Sequence, residues 1–308
     1  MPIRAIVTGG AGFIGSHVAD GLLARGDEVW VVDNLAGGRR ERVPEGAKFH
    51  QVDIRDREQL AAVFAEARPQ AVFHLAAQAD VRVSVDDPVL DGDVNVLGTI
   101  QVLRAAREAG ARVVFSSTGG AIYGEVDTIP SDESTPAAPM APYGTSKLCA
   151  EQYLHLENRL YGTNHVILRY GNVFGPRQDP HGEAGVVAIF FGKLLAGEPP
   201  KVFGDGSQTR DYVAVSDVVR ANLAAYDYLG HVGTFNIGTQ IETSVVALLA
   251  ACQTAAETSL EPVMADPRLG ELDRSCLDCT LAAGELHWRP VVSLHEGLAE
   301  TLAHIRGE

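Results

Sequence analysis

The sequence predicts an α/β protein built on a doubly wound parallel sheet with helices on both faces. Three observations carry this. Short β-rich runs alternate with helical patterns across the first 175 residues, those runs are apolar throughout, and the segments between them often end in glycine. Continuously apolar strands are expected where both faces of a parallel sheet are covered. Strict alternation of strand and helix is the order of a doubly wound sheet.

In chain order the expected strands are RAIVTG (4–9), EVWVVDN (28–34), KFHQVDI (48–54), AVFHLAA (71–77), RVVFSST (112–118) and HVILRYGNV (165–173). FIGSHVADGLLARG and NVLGTIQVLRAAREAG between them carry helical periodicity with glycine at the C-terminal end. After residue 175 prolines and polar loops interrupt the pattern. A helix over 215–229 and a strand at 234–239, TFNIGT, are expected to return to the main sheet. The division expected is therefore a cofactor-binding domain of residues 1–172 with 213–239, and a smaller C-terminal substrate-binding lobe of 173–212 and 240–308.

Composition narrows the partners. A net charge of −15 over 308 residues disfavours nucleic acid and anionic membrane, since both would repel the chain. The start, MPIRAIVTGG, has too short an apolar run for a signal-peptide core, and VVAIFFGKLLAG (186–197) falls short of the ~20 residues of a membrane span. Four cysteines in a chain of this length suggest a reducing compartment, the cytoplasm. The single CLDC pair, Cys276 and Cys279, lacks the second pair or spaced histidines of a zinc site, so no metal is expected.

TGGAGFIGSH (8–17) places Gly9, Gly12 and Gly15 directly after the first strand and at the start of a helix. Glycines there allow a tight turn and close approach of backbone to a pyrophosphate, which the helix N-terminus then attracts. Asp33 ends the next strand, 18 residues past Gly15. A carboxylate there accepts hydrogen bonds from ribose hydroxyls and repels a 2′-phosphate, so NAD is expected over NADP, with Arg39, Arg40 and Arg42 read as a solvated loop face. Other strand ends carry suitable groups: Asp53 and Ile54 for the adenine, Leu75, Ala76, Ala77 and Gln78 against the cofactor, and Ser116, Ser117 and Thr118 toward its reactive ring.

YGTSK (143–147) puts a phenol and an ammonium on one helix face, one turn apart. An unperturbed phenol, pKa near 10, is a poor base at neutral pH. The positive charges of Lys147 and an oxidised nicotinamide are expected to lower that pKa and make Tyr143 an acid/base, with Thr118 or Ser117 completing the site.

TGGAGFIG, HLAA, DVNVLGT, SSTGGAIYGE and PYGTSK together resemble the extended short-chain dehydrogenase/reductases, whose domain is of Rossmann type. YGNVFGPRQDPHGEAGVVAIF, VFGDGSQTRDYV, FNIGT and PRLGEL resemble the UDP-glucose 4-epimerase branch, and the resemblance spans essentially the whole chain. It implies tightly held NAD, a UDP-hexose substrate passing through a 4-keto sugar, and catalysis by Thr118, Tyr143 and Lys147. It also implies that Phe13, Ile14, Asn34, Asn95 and Tyr170 help hold the cofactor. On the substrate it implies Asn172 near phosphate or sugar, Arg210 and Arg268 on the diphosphate, and Val187 with Lys201, Val202 and Phe203 around the uracil. A homodimer is implied through the helix after DVNVLGT and the helix bearing YGTSK.

The sequence departs from its relatives in two places. SSTGGAIYG is one residue longer than in many of them, which leaves Thr118 and Ser117 both open as the catalytic hydroxyl. RLGE puts Glu271 where an aspartate commonly contacts ribose. GGAI replaces the Asp-Glu dipeptide of sugar 4,6-dehydratases, so elimination of water has no visible catalyst. Ser275 matches the position where some relatives place a bulky tyrosine beside the sugar's 2-substituent, which by that resemblance leaves room for an N-acetyl group, and Arg82, Arg177 and His181 are candidate cations for a uronate. A silent NAD-binding scaffold is disfavoured because Thr118, Tyr143 and Lys147 are all retained.

Overall fold

Six strands precede residue 171: β1 (Arg4–Thr8), β2 (Glu28–Asp33), β3 (Lys48–Gln51), β4 (Ala71–His74), β5 (Arg112–Thr118) and β6 (Val166–Tyr170). Among the described residues six more follow: β7 (Asn172–Phe174), β8 (Lys201–Phe203), β9 (Thr209–Ala214), β10 (Thr234–Ile237), β11 (Glu242–Ser244) and β12 (Val263–Ala265). The computed structural model describes residues 2–179, 185–231, 233–267 and 272–307.

The main sheet has seven strands in the order β10-β6-β5-β4-β1-β2-β3, every pair parallel. The chain winds outward from β1 through β2 to β3, then crosses to β4 on the other side. A crevice therefore opens between the carboxyl ends of β1 and β4, where ligands of such sheets bind. β10 pairs with β6, so the segment expected to return to the sheet does so.

Side chains alternate between two apolar layers. Ala5 and Val7 face a layer with Val18, Leu22, Val218 and Ala221, from the helices Phe13–Ala24 and Val215–Asp227. Ile6 faces Leu60, Phe64, Leu103 and Leu154, from the helices Arg57–Ala67, Thr99–Ala109 and Pro142–Tyr161. Each such Leu or Phe contributes ~1.5–3 kcal/mol by leaving water. The strands were therefore legible as apolar runs, because both faces of the sheet are covered.

A third layer lies apart from these. Phe174, Val187, Phe190, Phe191, Leu248 and Leu298 gather around the helices Val186–Leu195 and Val245–Ala256, beside a sheet ordered β11-β9-β7 and the β8–β12 pair. The apolar stretch at 186–197 thus serves a core, and among the described residues no helix is long and apolar enough to cross a membrane. Asp211, on β9, ties this layer to the main sheet. Its carboxylate accepts from Thr239 N at 2.7 Å, Gln240 N at 3.1 Å and Leu277 N at 3.3 Å.

One predicted strand is broken. HVILRYGNV divides into β6 and β7 at Gly171, whose N–H reaches Ile237 O at 2.8 Å. A Cβ at Gly171 would lie 2.7 Å from Asp211 O, so β9 crosses here at a distance only glycine permits, and β7 leaves for the second sheet.

Candidate active site

The glycine-rich turn connects β1 to the helix Phe13–Ala24. Gly9 adopts φ +71°, and a Cβ on it would lie 2.6 Å from Ala76 N. A Cβ on Gly15 would lie 2.1 Å from Gly9 O. The turn is a backbone cradle with no room for side chains, followed by a helix whose first turn has no side-chain cap. Open amides beside a close-packed backbone suit a pyrophosphate. Phe13 and Ile14 begin that helix.

Asp33 closes the cradle. Its carboxylate accepts from Ala11 N at 3.0 Å and Leu35 N at 2.8 Å, which fixes it at the end of β2. The following arginines fold alongside, Arg39 N donating to Ala11 O at 2.9 Å. Asn34 Nδ2 donates to Asp53 Oδ2 at 2.9 Å, and the Arg55 guanidinium holds the Asp53 carboxyl well below the usual range. Ile54 is buried beneath Gly98, where a Cβ would meet its side chain. These residues converge on the carboxyl edge of β1, β2 and β3, and with the cradle they fit a dinucleotide.

A buried polar chain braces the middle of the edge. His74 Nδ1 and Thr8 Oγ1 are 2.7 Å apart, and His74 Nε2 lies 3.0 Å from Thr99 Oγ1. Thr99 Oγ1 donates to Asn95 O at 2.6 Å. Burial, then the charge of Lys147, pushes His74 down to about 3, so the ring is neutral. Asn95 sits in a π-helical turn, Asp93–Gly98. Its side chain accepts from Gln78 N at 2.9 Å and donates to Asp91 Oδ1 and Ser146 Oγ, each at 3.0 Å. Gln78 Nε2 also donates to Asp91 Oδ1, at 3.0 Å, so the Leu75–Gln78 segment is anchored by its own side chain.

At the end of β5 the two candidate hydroxyls separate. Ser117 Oγ donates to Glu151 Oε1 at 2.5 Å, and Glu151 is gripped by Arg169 Nη2 at 2.6 Å, all within the protein interior. Arg169 Nη1 continues to the Tyr123 hydroxyl at 2.9 Å. Thr118 is the hydroxyl beside the Tyr143 phenol, where it acts to lower the phenol's pKa. Lys147 Nζ donates to Ser116 O at 2.8 Å and lies over the Phe115 ring, 4.7 Å from its centre. The Tyr170 hydroxyl donates to Asn222 Oδ1 at 3.1 Å and accepts from Asn222 Nδ2 at 2.8 Å.

The phenol corrects an expectation. Burial first, and the Asp91 carboxylate second, push Tyr143 up to about 12 against the lowering hydrogen bond from Thr118. Lys147 is itself pushed down to about 8 by burial, opposed by Asp91 and Glu151. The ammonium is aimed at the Ser116 carbonyl and the Phe115 face, and the surrounding protein resists a phenolate. Any lowering below 10 must therefore come from a charge brought in by a ligand.

Substrate residues are placed less uniformly. Asn172 begins β7 with its side-chain oxygen over Gly120, where a Cβ would lie 3.1 Å from it, two residues beyond Thr118. Arg210 is half-buried on β9 and donates to Thr209 O at 2.8 Å. The side chains of Val187 and Val202 are sealed in the smaller core, which leaves only their main chain for a ligand. Lys201 is exposed and Phe203 half-buried beside it, the ammonium 6.0 Å from the ring centre. Arg82 lies on an exposed helix and pairs with Asp80 at 3.3 Å. Arg177 is drawn to Asp20 at 2.7 Å and Ser16 Oγ at 3.1 Å on the first helix. Arg268, Glu271 and His181 lie outside the described residues.

Several site residues had gone unread in the sequence: His74, Asp91, Glu151 and Arg169. Glu151 carried a usable signal, standing four residues after Lys147 on the same helix face. The CLDC thiols are buried, and Gly238 N donates to Cys279 Sγ at 3.0 Å. Burial pushes Cys276 up to about 12, so it stays a neutral thiol.

Three comparisons bear on this arrangement. A UDP-glucose 4-epimerase of Mycolicibacterium smegmatis is 46% identical over 312 residues, 99% of each chain. The crystal structure of a UDP-glucose 4-epimerase with UDP-glucose from Thermotoga maritima matches with TM-score 0.96 and 47% identity, over 98% of both chains. That of the Thermus thermophilus UDP-glucose 4-epimerase in complex with NAD matches with TM-score 0.94 and 48% identity, over 99% of both. Residues 5–238 match the family described as the NAD dependent epimerase/dehydratase family, and with the cradle at 9–15, Asp33 and the Thr118–Tyr143–Lys147 cluster on one sheet edge, the chain belongs to that family.

Proposed function

We propose that the protein is a UDP-glucose 4-epimerase, interconverting UDP-glucose and UDP-galactose in the cytoplasm with resident NAD. The observation that carries this reading is the Tyr143 phenol beside the Thr118 hydroxyl, one helical turn from Lys147, whose Nζ donates to Ser116 O on the same sheet edge as the glycine cradle. The epimerase relatives across the full chain support it.

In this reading residues 1–172 with 213–239 bind the cofactor, and 173–212 with 240–308 bind the nucleotide sugar. The cradle from Gly9 to Gly15 takes the pyrophosphate through main-chain amides, with Phe13 and Ile14 in the first turn. Asp33 and Asn34 take the ribose, and Asp53 with Ile54 borders the adenine. The Leu75–Gln78 segment, Asn95, Ser116 and Tyr170 shape the wall. NAD supplies, when bound, a reversible hydride acceptor and a positive charge.

Tyr143 Oη removes the proton from the sugar's 4-hydroxyl and later returns it. Thr118 Oγ1 hydrogen-bonds the same sugar oxygen and so stabilises the charge that develops there. Lys147, one helical turn from Tyr143 with its ammonium on Ser116 O, holds the ribose hydroxyls beside the reactive ring, and the charge that favours the phenolate comes with the cofactor. Arg210 and Arg268 hold the diphosphate by charge-assisted hydrogen bonds, with Glu271 on the ribose. Asn172 contacts the phosphate or sugar, and the main chain at Val187 and over 201–203 borders the uracil. A pocket that grips the nucleotide and leaves the hexose loose lets the 4-keto sugar turn over before reduction.

Exposed apolar side chains support a homodimer. Val85, Val89, Leu97, Leu156 and Leu160 lie exposed on the segment before Thr99 and on the Tyr143 helix, Val89 to 79% and Leu160 to 62%. Exposed apolar side chains on neighbouring helices suit burial against a second copy.

The test is direct. Purified protein should release NAD in near-stoichiometric amount on denaturation and interconvert the two UDP-hexoses. Tyr143→Phe should keep its NAD and lose turnover by at least about 100-fold. Protein that turns over neither UDP-hexose would overturn the reading.

A further inference from the structure

We propose that Asp91 is a positioning residue that sets how protons are distributed between Tyr143 and Lys147, holding the ammonium charged and the phenol protonated. The inference rests on the epimerase reading for its kinetic consequence and on geometry for its origin.

Asp91 is 1% exposed, in a short helix of residues 88–92. A buried carboxylate is costly unless a cation answers it. Among the described residues its Oδ1 accepts from two neutral amides, Gln78 Nε2 and Asn95 Nδ2, each at 3.0 Å. With Pro142, Thr145 and Ser146 it lines the depression under the first turn of the Tyr143 helix. Asn95 ties it to Ser146, whose hydroxyl returns to Tyr143 O at 3.0 Å.

The charges around Asp91 select its partner. On the segment after it, Asp93 is paired with Arg55 at 2.7 Å. On the preceding helix Arg82 pairs with Asp80, and Asp86 is exposed. On the Tyr143 helix, Glu151 is taken by Arg169, and Cys149 lines the same depression as a free thiol. His74 beside Lys147 is neutral. With those groups paired, exposed or neutral, the Asp91 charge acts on the Lys147 ammonium, which makes no ion pair among the described residues, and on the Tyr143 phenol. A negative charge raises the affinity of both groups for their protons. Asp91 thereby keeps Tyr143 protonated until the positive charge of the cofactor offsets it, which links activation of the acid/base to cofactor loading.

Asp91→Asn preserves an acceptor oxygen and removes the charge. With NAD-loaded enzyme, both limbs of the pH profile of kcat should move to lower pH together, by about one pH unit for a unit charge at this range. Independently of turnover, the Tyr143 phenolate is read by ultraviolet difference titration, subtracting Tyr143→Phe in each background, and its midpoint should fall by a similar amount. Should the amide variant fail to accumulate, Asp91→Ser carries the same prediction. The exposed-acid control, Asp86→Asn, should leave profile and midpoint in place. A profile that drops in height without moving, with an unmoved phenolate midpoint, would overturn the proposal, as would an equal shift in the control. If the wild type turns over no UDP-sugar, the epimerase reading fails while the titration still decides the charge coupling.

Discussion

The Ser117 hydroxyl donates to Glu151 at 2.5 Å, while Thr118, one residue further along β5, sits by the Tyr143 phenol and favours its ionised form. Consecutive strand residues point to opposite faces, so one hydroxyl is committed to the interior and its neighbour to the cleft.

That division predicts two unlike variants. Thr118→Val removes a hydrogen bond to an oxygen that becomes charged during turnover, worth about 1.5–3 kcal/mol, so kcat should fall about 10- to 100-fold with NAD content unchanged. Ser117→Ala leaves the Glu151–Arg169 pair in place and should cost about 1 kcal/mol of stability in urea, with kcat within about threefold of wild type. The reverse pattern would assign catalysis to Ser117.

Gly9→Ala addresses the cradle. An alanine there must keep φ near +71° with a methyl 2.6 Å from Ala76 N, so the turn has to shift. Left-handed backbone costs an L-residue ~1–2 kcal/mol before any clash is counted. Retention of NAD through gel filtration should weaken at least about tenfold, measured by nucleotide released on denaturation. Full NAD occupancy in the variant would show that the pyrophosphate is held elsewhere.

How much of this was legible in the residues depended on whether the signal was local. The strands were, because coverage on both faces leaves an unbroken apolar run such as AVFH. The break at Gly171 was not, since it answers the backbone of β9, some forty residues away in sequence. In the site, the glycine spacing and Tyr143 with Lys147 could be read from one helical turn each. The direction of the Tyr143 shift could not, because it depends on depth of burial and on Asp91, which sits in a polar run, DGD, that reads as solvated surface. Only the packing of that run under the Tyr143 helix makes its first carboxylate a buried charge.

Lys147 gives the last prediction, a dependence of stability on pH. Burial pushes the folded ammonium down to about 8 from its ordinary 10.5, opposed by Asp91 and Glu151. Below pH 8 both folded and unfolded chains carry the proton, and the fold bears the full desolvation cost. Between about 8 and 10.5 the unfolded chain binds more protons than the folded one, so this contribution makes stability rise with pH. Lys147→Met lacks it. Urea unfolding of the two proteins at pH 7 to 10 should therefore show wild type gaining on the variant by on the order of 2 kcal/mol between pH 8 and 10. Any constant penalty in the variant, such as the Ser116 carbonyl left without its donor, shifts its curve without changing that slope. Parallel curves would mean that the ammonium is not desolvated in the fold. The expected slope would instead show that the chain keeps a buried lysine at a stability cost, one helical turn from Tyr143.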